Sequence, residues 1–505
     1  MAFAPKQIKW LYQEFGLKSL HSTGLDAYLI ILSRCTRMLA YGTISLILAL
    51  FFSALEFSDE YIGLFMTLTL LGDVLLSLGL TLIADRLGRR RVLFGGSVLM
   101  VFSGATFALF ENFWILLGAA IIGVISATGG DMGPFRAVEE STLSHLTNPR
   151  TRSDVLAWYV TTASLGSAIG TELSGRIVDY LQARDGWTII DAYHAVFWMY
   201  SVMGSLNMIF AFLMSSKCEA NKEEEEEEEP KKPEESEILL NEMDERNHED
   251  DSEPPNPATP SSLKILEKKK SLLAQISKET RGIMYKLWFL FIVDALADGM
   301  VGYSLTVYYI DQKFNLAKST LGDITSVSYI LSSISTVFAA PLARRLGLIN
   351  TMVFTHIPSS TAVLCFPFPS SAFLTVTFFF IRTGLNNMDQ APRAAFIAAV
   401  VKPEERTAVM GITSMLKTLA STAGPFVTGI LAGNDKFWIA FVAAGALRIC
   451  YDLGLWGMFV NMRLHQHEEK DPSGQSQRVG NEGERRRESD EEEMRDLTRR
   501  SEEDM

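Results

Sequence analysis

Cysteine is scarce. The chain has 505 residues and four cysteines, Cys35, Cys218, Cys365 and Cys450, with no CxxC pair and no Cys/His cluster among them. That spacing excludes a disulfide scaffold and a zinc site, and leaves four thiols acting as small apolar residues. No Walker loop, HExxH or nucleophile motif occurs, so neither an ATP-driven pump nor an enzyme is expected, and no cofactor or metal is implied. The formal net charge is -13, which lacks the basic excess of a nucleic-acid binder. Most of that acid is confined to Glu223–Glu229, Glu249–Glu253 and the stretch beyond Glu468. A cleavable signal peptide is not expected either, because Lys6, Lys9, Glu14 and Lys18 interrupt the apolar residues of the first twenty.

The apolar residues, 48% of the chain, come in blocks, and the mean hydropathy of +0.15 averages these with highly charged segments. A run of about 20 apolar residues crosses the hydrocarbon layer as a helix, because its backbone groups must pair internally where water is absent. A first set of six comprises Tyr28–Ala40 continued by Ile44–Leu55, Leu64–Ile83, Val92–Phe110, Trp114–Thr128 running past Pro134, Val155–Val178, and Val196–Met214. A second set comprises Leu287–Ile310, Leu321–Leu342, Met352–Phe366, Phe373–Val401, Val409–Leu431 and Phe437–Met462.

Alternate loops differ in charge. Arg86, Arg89, Arg90 and Arg91, then Arg150 and Arg152, Arg344 and Arg345, and Lys402 and Arg406 fall on one side, with Glu56, Asp59, Glu60 and Glu111 on the other. The positive-inside rule makes the first side cytoplasmic, together with both termini. The two sets also repeat: Gly42, Gly63, Ala84, Gly88, Asp131 and Pro134 recur as Gly302, Gly322, Ala343, Gly347, Asp389 and Pro392, and Pro149, Arg152, Gly170 and Gly175 as Pro403, Arg406, Gly424 and Gly429. The offset is near 260 and changes only at loops, as in a duplicated six-helix unit.

Between the second and third runs stands Ala84-Asp85-Arg86-Leu87-Gly88-Arg89-Arg90-Arg91. It resembles the Asp-Arg-x-Gly-Arg-Arg loop of the major facilitator superfamily, with Thr81 where the family usually has glycine. The resemblance covers the membrane portion and implies an all-α fold of twelve transmembrane helices in two six-helix bundles, with Asp85, Arg86, Gly88, Arg89 and Arg90 as a cytoplasmic gating motif. The eleventh run holds Gly424-Pro425 and Gly429, and the fifth Gly166, Gly170 and Gly175. These are similar to the glycine motif of drug/proton antiporters, and small residues at such spacing permit close helix contact.

Ionisable residues inside spans cost about 2.5–3.5 kcal/mol each at a helix centre, so each needs a reason. Arg34 and Arg37 occupy span 1, Asp294 and Asp298 its repeat partner, span 7. Since the resemblance implies that spans 1 and 7 line a central cavity, the arginine pair is expected to face the aspartate pair. Asp131, Arg136, Glu139 and Glu140 surround Pro134 in span 4, and Arg382, Asn386, Asn387, Asp389, Gln390 and Arg393 surround Pro392 in span 10. The substrate and proton pathway is expected at Arg34, Arg37, Asp131, Arg136, Asp294, Asp298, Arg382, Asn386, Asp389 and Arg393. One of the four aspartates is the expected proton carrier, with Glu139 and Glu140 open to a latch or a pathway role. Glu172 with Arg176, and Arg448 with Asp452, read as self-paired i,i+4 charges; Asp73 and Lys417 have no assigned role.

The expected organisation is therefore an amphipathic cytoplasmic segment (1–25), a six-helix bundle (26–216), an acidic disordered linker (217–282) with an amphipathic stretch at Leu263–Ile276, a second bundle (283–463) and a disordered tail (464–505). The expected activity is secondary active transport by alternating access, with proton-coupled efflux of a small charged or amphipathic solute as first reading. A facilitator or importer of an organic anion or nutrient, and a non-transporting receptor, are the alternatives. The expected partners are the solute, the bilayer and protons, with no nucleic acid, in a monomer of the plasma membrane more than of an organelle.

Overall fold

The computed structural model describes residues 17–123, 125, 134–219, 277–402 and 405–459. Asp131, the bulk of the acidic linker with Leu263–Ile276, and the tail lie outside the described residues. So do the side chains of Asp85 and Arg86, although the backbone there is helical.

Every described element is helical. A short helix, Leu17–Thr23, precedes span 1, Leu25–Ala54. Span 2 is Asp59–Leu87, span 3 Arg89–Leu109, span 5 Pro149–Gln182 and span 6 Ile189–Leu213; span 4 is built from Phe113–Ile122 and Pro134–Leu146. In the second set, span 7 is Lys278–Met300 followed by Tyr303–Phe314, span 8 Lys318–Leu346, span 9 Leu348–Cys365, span 11 Arg406–Gly433 and span 12 Phe437–Phe459. Span 10 is Ala372–Asn386, a tight turn at Asn387–Asp389, and Gln390–Val400. Six of these helices, spans 1, 3, 6, 8, 9 and 12, are long and apolar enough to cross a membrane unaided, and the two pieces of span 7 together make a seventh.

Local chemistry sets the boundaries. Thr188 and Asp191 form a reciprocal capping box at the start of span 6, with Asp191 N donating to Thr188 Oγ1 at 3.2 Å and Thr188 N to Asp191 Oδ2 at 3.0 Å. Gly88 and Gly347, the repeat pair that precedes spans 3 and 9, adopt φ +92° and +85°, a region open to glycine and strained for other residues. The duplication in sequence is thus a duplication of backbone geometry. Span 7 departs from the single uninterrupted run expected: its pieces meet at 42° around Val301 and Gly302. The break frees Val301 O, which accepts from Thr306 Oγ1 at 3.0 Å and from the Arg382 guanidinium, so a buried arginine replaces the lost helical bond.

The two bundles meet along spans 2 and 11, spans 5 and 8, and span 1 with the upper piece of span 7. Backbones touch where glycine removes the side chain: a Cβ on Gly63 would lie 2.5 Å from Pro425 O and 2.8 Å from Gly429 Cα. Gly175 abuts the backbone of Lys318 and Ser319. Gly166 and Gly170 pack within their own bundle on span 1, and Gly424 on Gly299 and Met300 of span 7. Between bundles, Ser304 donates to Ser45 O at 2.8 Å and Tyr308 to Asp59 at 2.5 Å. These inter-bundle contacts lie toward the end of the molecule that carries the acidic loops.

One of them is a helix cap supplied by the opposite bundle. Ala317, at the cap position of span 8, has no side-chain hydrogen bond to give. Asp179 of span 5 instead accepts from Lys318 N at 3.0 Å and Ser319 N at 2.7 Å, satisfying two amides the helix leaves open. Loss of a cap costs about 0.5–2 kcal/mol, so Asp179→Ala is expected to shift the population away from this closed arrangement by ~5-fold. Distances between spin labels at Gln182 and Asn315 read that shift directly; an unchanged distribution would leave the cap without a role in closure.

Candidate functional site

In the first bundle, Arg37 donates to both Glu139 oxygens, at 2.9 and 2.6 Å. Tyr159 of span 5 donates to Glu139 Oε2 at 2.8 Å and accepts from Arg34 at 2.7 Å, while the Arg34 guanidinium lies 4.1 Å from the Tyr159 ring centre. Glu139 has no exposed surface, and Arg34 and Arg37 are 4% exposed. The expectation that this arginine pair faces Asp294 and Asp298 is therefore corrected. Its hydrogen-bonded counter-ion is Glu139, on span 4 of the same bundle, because a desolvated guanidinium needs an acceptor at hydrogen-bonding distance and Glu139 supplies one. The same finding makes Glu139 a buried ion-pair partner and no solvated latch.

The second bundle reverses the signs. Here span 7 brings the anions and span 10 the cation: Arg393 bonds Asp294 at 3.1 Å and, more tightly, Asp389 one turn earlier on its own span. Arg448 of span 12 has no exposed surface. It donates to Asp298 at 2.8 Å, to His356 Nε2 of span 9 at 2.6 Å, and to Asn386. Asp452 bonds His356 Nδ1 at 2.8 Å and accepts from Ser360 at 3.0 Å. Arg448 and Asp452 are thus not the self-contained pair expected from their spacing; both turn into the bundle and share His356 between them. Arg382 holds the break in span 7 through Val301 O and bonds Thr306 at 3.0 Å.

A cavity of about 320 Å³ opens beside this cluster, bounded by Asp298, His356, Asn386, Asp389, Arg393 and Lys417 among others. A second, of about 250 Å³, shares Asp298 and Asn386 and reaches Tyr303, Ser332 and Arg382. Together they form a polar path along span 10, whose pieces are separated at Asn387–Asp389. Asp298 is the carboxylate most open to this space, its side chain 42% exposed. Lys417 is half-buried in the wall, its ammonium 5.7 Å from the Phe291 ring centre, and it makes no ion pair within 4 Å among the described residues.

The other candidates sit elsewhere. Arg136 pairs with Glu140 at 2.8 Å on an exposed face. Arg176 pairs with Glu172 as expected and also reaches Asp323 of the other bundle at 3.1 Å. Asp73 is buried in span 2, and its Oδ1 accepts no hydrogen bond from the described residues. In the basic loop, Arg89 N donates to Glu219 at 2.7 Å and Arg90 to Phe212 O at 3.3 Å, tying that loop to the end of span 6. His356 and Tyr159 were not anticipated. Two sequence signals mark His356: it is a titratable residue inside the run Met352–Phe366, and the repeat has Ser97 at the equivalent place of span 3.

The sequence model of the Major Facilitator Superfamily matches residues 30–278 and 287–496. An uncharacterized membrane protein of Saccharomyces cerevisiae is 32% identical over 440 residues, covering 86% of this chain and 94% of that protein. Among solved structures, the nucleoside transporter NupG superposes with a TM-score of 0.63 at 12% identity, covering 87% of this chain and all of that one. A D-xylose-proton symporter gives 0.58 at 12% identity, covering 85% and 97%. Two duplicated six-helix bundles, a polar path between broken helices and a family match over both halves lead to one conclusion: the chain belongs to the Major Facilitator Superfamily and is a multi-pass membrane transporter, not an enzyme.

Proposed function

We propose that this transporter carries a small organic anion together with a proton, by alternating access, through the cavity bounded by Asp298, Asn386, Arg393 and Lys417. The observation that carries the reading is Lys417, a cation in the cavity wall with no ion pair among the described residues. The arginines around it are all engaged by carboxylates, hydroxyls or backbone carbonyl groups. An anionic group of a solute entering the cavity is the natural partner for a desolvated ammonium. Export in exchange for protons, as in the drug/proton antiporter branch, rests on the glycine motif alone; Gly424, Pro425 and Gly429 have a sufficient role in helix contact.

Proton coupling is favoured by a buried network in which carboxylates and cations are closely matched, so that one added proton changes its balance. The fold shared with a proton symporter is consistent with that reading. The positive-inside rule puts the Arg89–Arg91 loop and both termini in the cytoplasm, with the bundles acting as a monomer, in the plasma membrane, joined by the acidic linker.

Reconstituted protein, with a pH dye inside the vesicles and an imposed proton gradient, tests this directly. Acetate, lactate, succinate, citrate and inorganic phosphate are offered beside choline and uridine. Proton influx that accompanies an anion supports the reading, and flux with choline in the opposite sense restores exchange. Lys417→Ala is expected to raise the apparent KM for the transported anion by ~10-fold, the loss of one charge-assisted contact of about 1.5–3 kcal/mol, with a smaller change in maximal rate.

A further inference from the structure

We propose that His356 is the group that takes up the coupled proton, and that its protonation releases Arg448 toward the anion. The inference rests on the reading of the cavity as an anion and proton site. It starts from hydrogen-bond direction. A guanidinium can only donate, so the 2.6 Å contact from Arg448 requires His356 Nε2 to be the acceptor. The ring hydrogen is then on Nδ1, where it is donated to Asp452 Oδ1 at 2.8 Å. In this arrangement the imidazole is neutral and its one basic lone pair is occupied by an arginine.

The charged and titratable groups around the ring and its cavity come from four helices. Span 7 supplies Asp294 and Asp298, span 10 Asp389 and Arg393, span 11 Lys417, and span 12 Arg448, Tyr451 and Asp452. Ser360, on the histidine's own helix, stands 3.4 Å from Nδ1. With Arg382 beside the second cavity, four carboxylates stand against four cations: Asp294, Asp298, Asp389 and Asp452 with Arg382, Arg393, Lys417 and Arg448. The neutral histidine leaves this set balanced.

An acceptor for the added proton is already in place. Asp294 Oδ1 is buried, has no hydrogen-bond partner among the described residues, and lies 3.8 Å from His356 Nε2. A proton arriving from cavity water binds Nε2 and makes the ring a donor at both nitrogens. Nε2–H and the Arg448 N–H groups then face each other as two donors, so the contact opens. A small rotation brings Nε2–H onto Asp294 Oδ1, while Asp452 keeps Nδ1–H. Arg448 stays anchored by Asp298 and Asn386, but the N–H that His356 had accepted is now without a partner, at the edge of the cavity. The set carries one excess positive charge, which a monoanion or one carboxylate of a larger anion neutralises. Proton and anion thereby bind cooperatively, and by linkage each raises the affinity for the other.

The test compares the parent with His356→Gln in vesicles, using whichever of lactate, succinate, citrate or phosphate the parent carries, and measures proton flux and labelled-solute flux together. The expected result is a ratio of protons to solute that falls at least 10-fold in the variant, a change that a merely structural role would not produce. An unchanged ratio overturns the assignment of His356 and leaves the anion reading standing; a parent with no proton-linked flux for any anion removes both. Should the variant fail to fold, the parent decides: in full-length protein whose other six histidines are replaced, the ¹⁵N signal of His356 Nε2 is expected to move from imidazole to imidazolium at fixed pH when the anion is added. A ring that stays neutral overturns the proposal.

Discussion

Glu139→Leu is expected to destabilise the transporter by about 3–5 kcal/mol, the range for removing one partner of a buried ion pair, and to appear as a large drop in the unfolding temperature of the purified protein in detergent. The carboxylate takes both donors of the Arg37 fork and the Tyr159 hydroxyl, and it has no exposed surface. Without it, the Arg37 fork loses both of its hydrogen bonds to Glu139 and the Tyr159 hydroxyl loses its acceptor. The double variant Glu139→Leu with Arg37→Leu is expected to recover at least half of the loss, since Arg34 still has the Tyr159 oxygen and ring. A double variant as unstable as the sum of its parts would mean that the pair is not energetically coupled and that the ion pair has been misjudged.

Gly63→Leu should cut transport by more than 10-fold through a different route. Its Cβ would meet Pro425 O and Gly429 Cα, which are backbone atoms of the opposite bundle, so no rotamer relieves the clash. Overpacking of this kind costs about 1–3 kcal/mol, and a conformational equilibrium moved by that amount changes by ~5–150-fold. The change favours the state in which spans 2 and 11 separate. A single cysteine at Ser53, which borders the closed side of the interface beside Asp179 and Lys318, is expected to react with a water-soluble thiol reagent at least 10-fold faster in the variant. Labelling at the parent rate, with transport intact, would show that the crossing is passive packing.

Much of the architecture is legible in the chain. Twelve apolar runs, loop charges and a repeat of glycines and prolines follow from constraints a bilayer imposes, and the structure returns the helices and the repeat, down to the paired backbone angles of Gly88 and Gly347. The break in span 7 was not legible, because Val301-Gly302 sits inside an apolar run and its freed carbonyl is held by an arginine 81 residues away. Charge partners were the least legible of all. Arg34, Arg37, Asp294 and Asp298 announce themselves by their position in apolar sequence, but which face of a helix meets which neighbour is decided by packing within a bundle. Arg448 and Asp452 have the spacing of a helical ion pair and still bond through His356 and not to each other, because His356, Asp298, Asn386 and Ser360 offer buried contacts that a local pair does not match.

The two-piece span 7 acts as a crank. Its lower arm carries Asp294 and Asp298 into the charge cluster, and its upper arm, 12 residues or ~18 Å long, is pinned to the first bundle at Ser45 and Asp59. Only Val301 and Gly302 lie between the arms. With that lever, a turn of ~10° at the elbow sweeps the far end by ~3 Å and Tyr308, near the middle of the arm, by about half of that. On the proposed mechanism, a turn of the elbow driven from the charge cluster would strain the contacts that Ser304 and Tyr308 make with the opposite bundle.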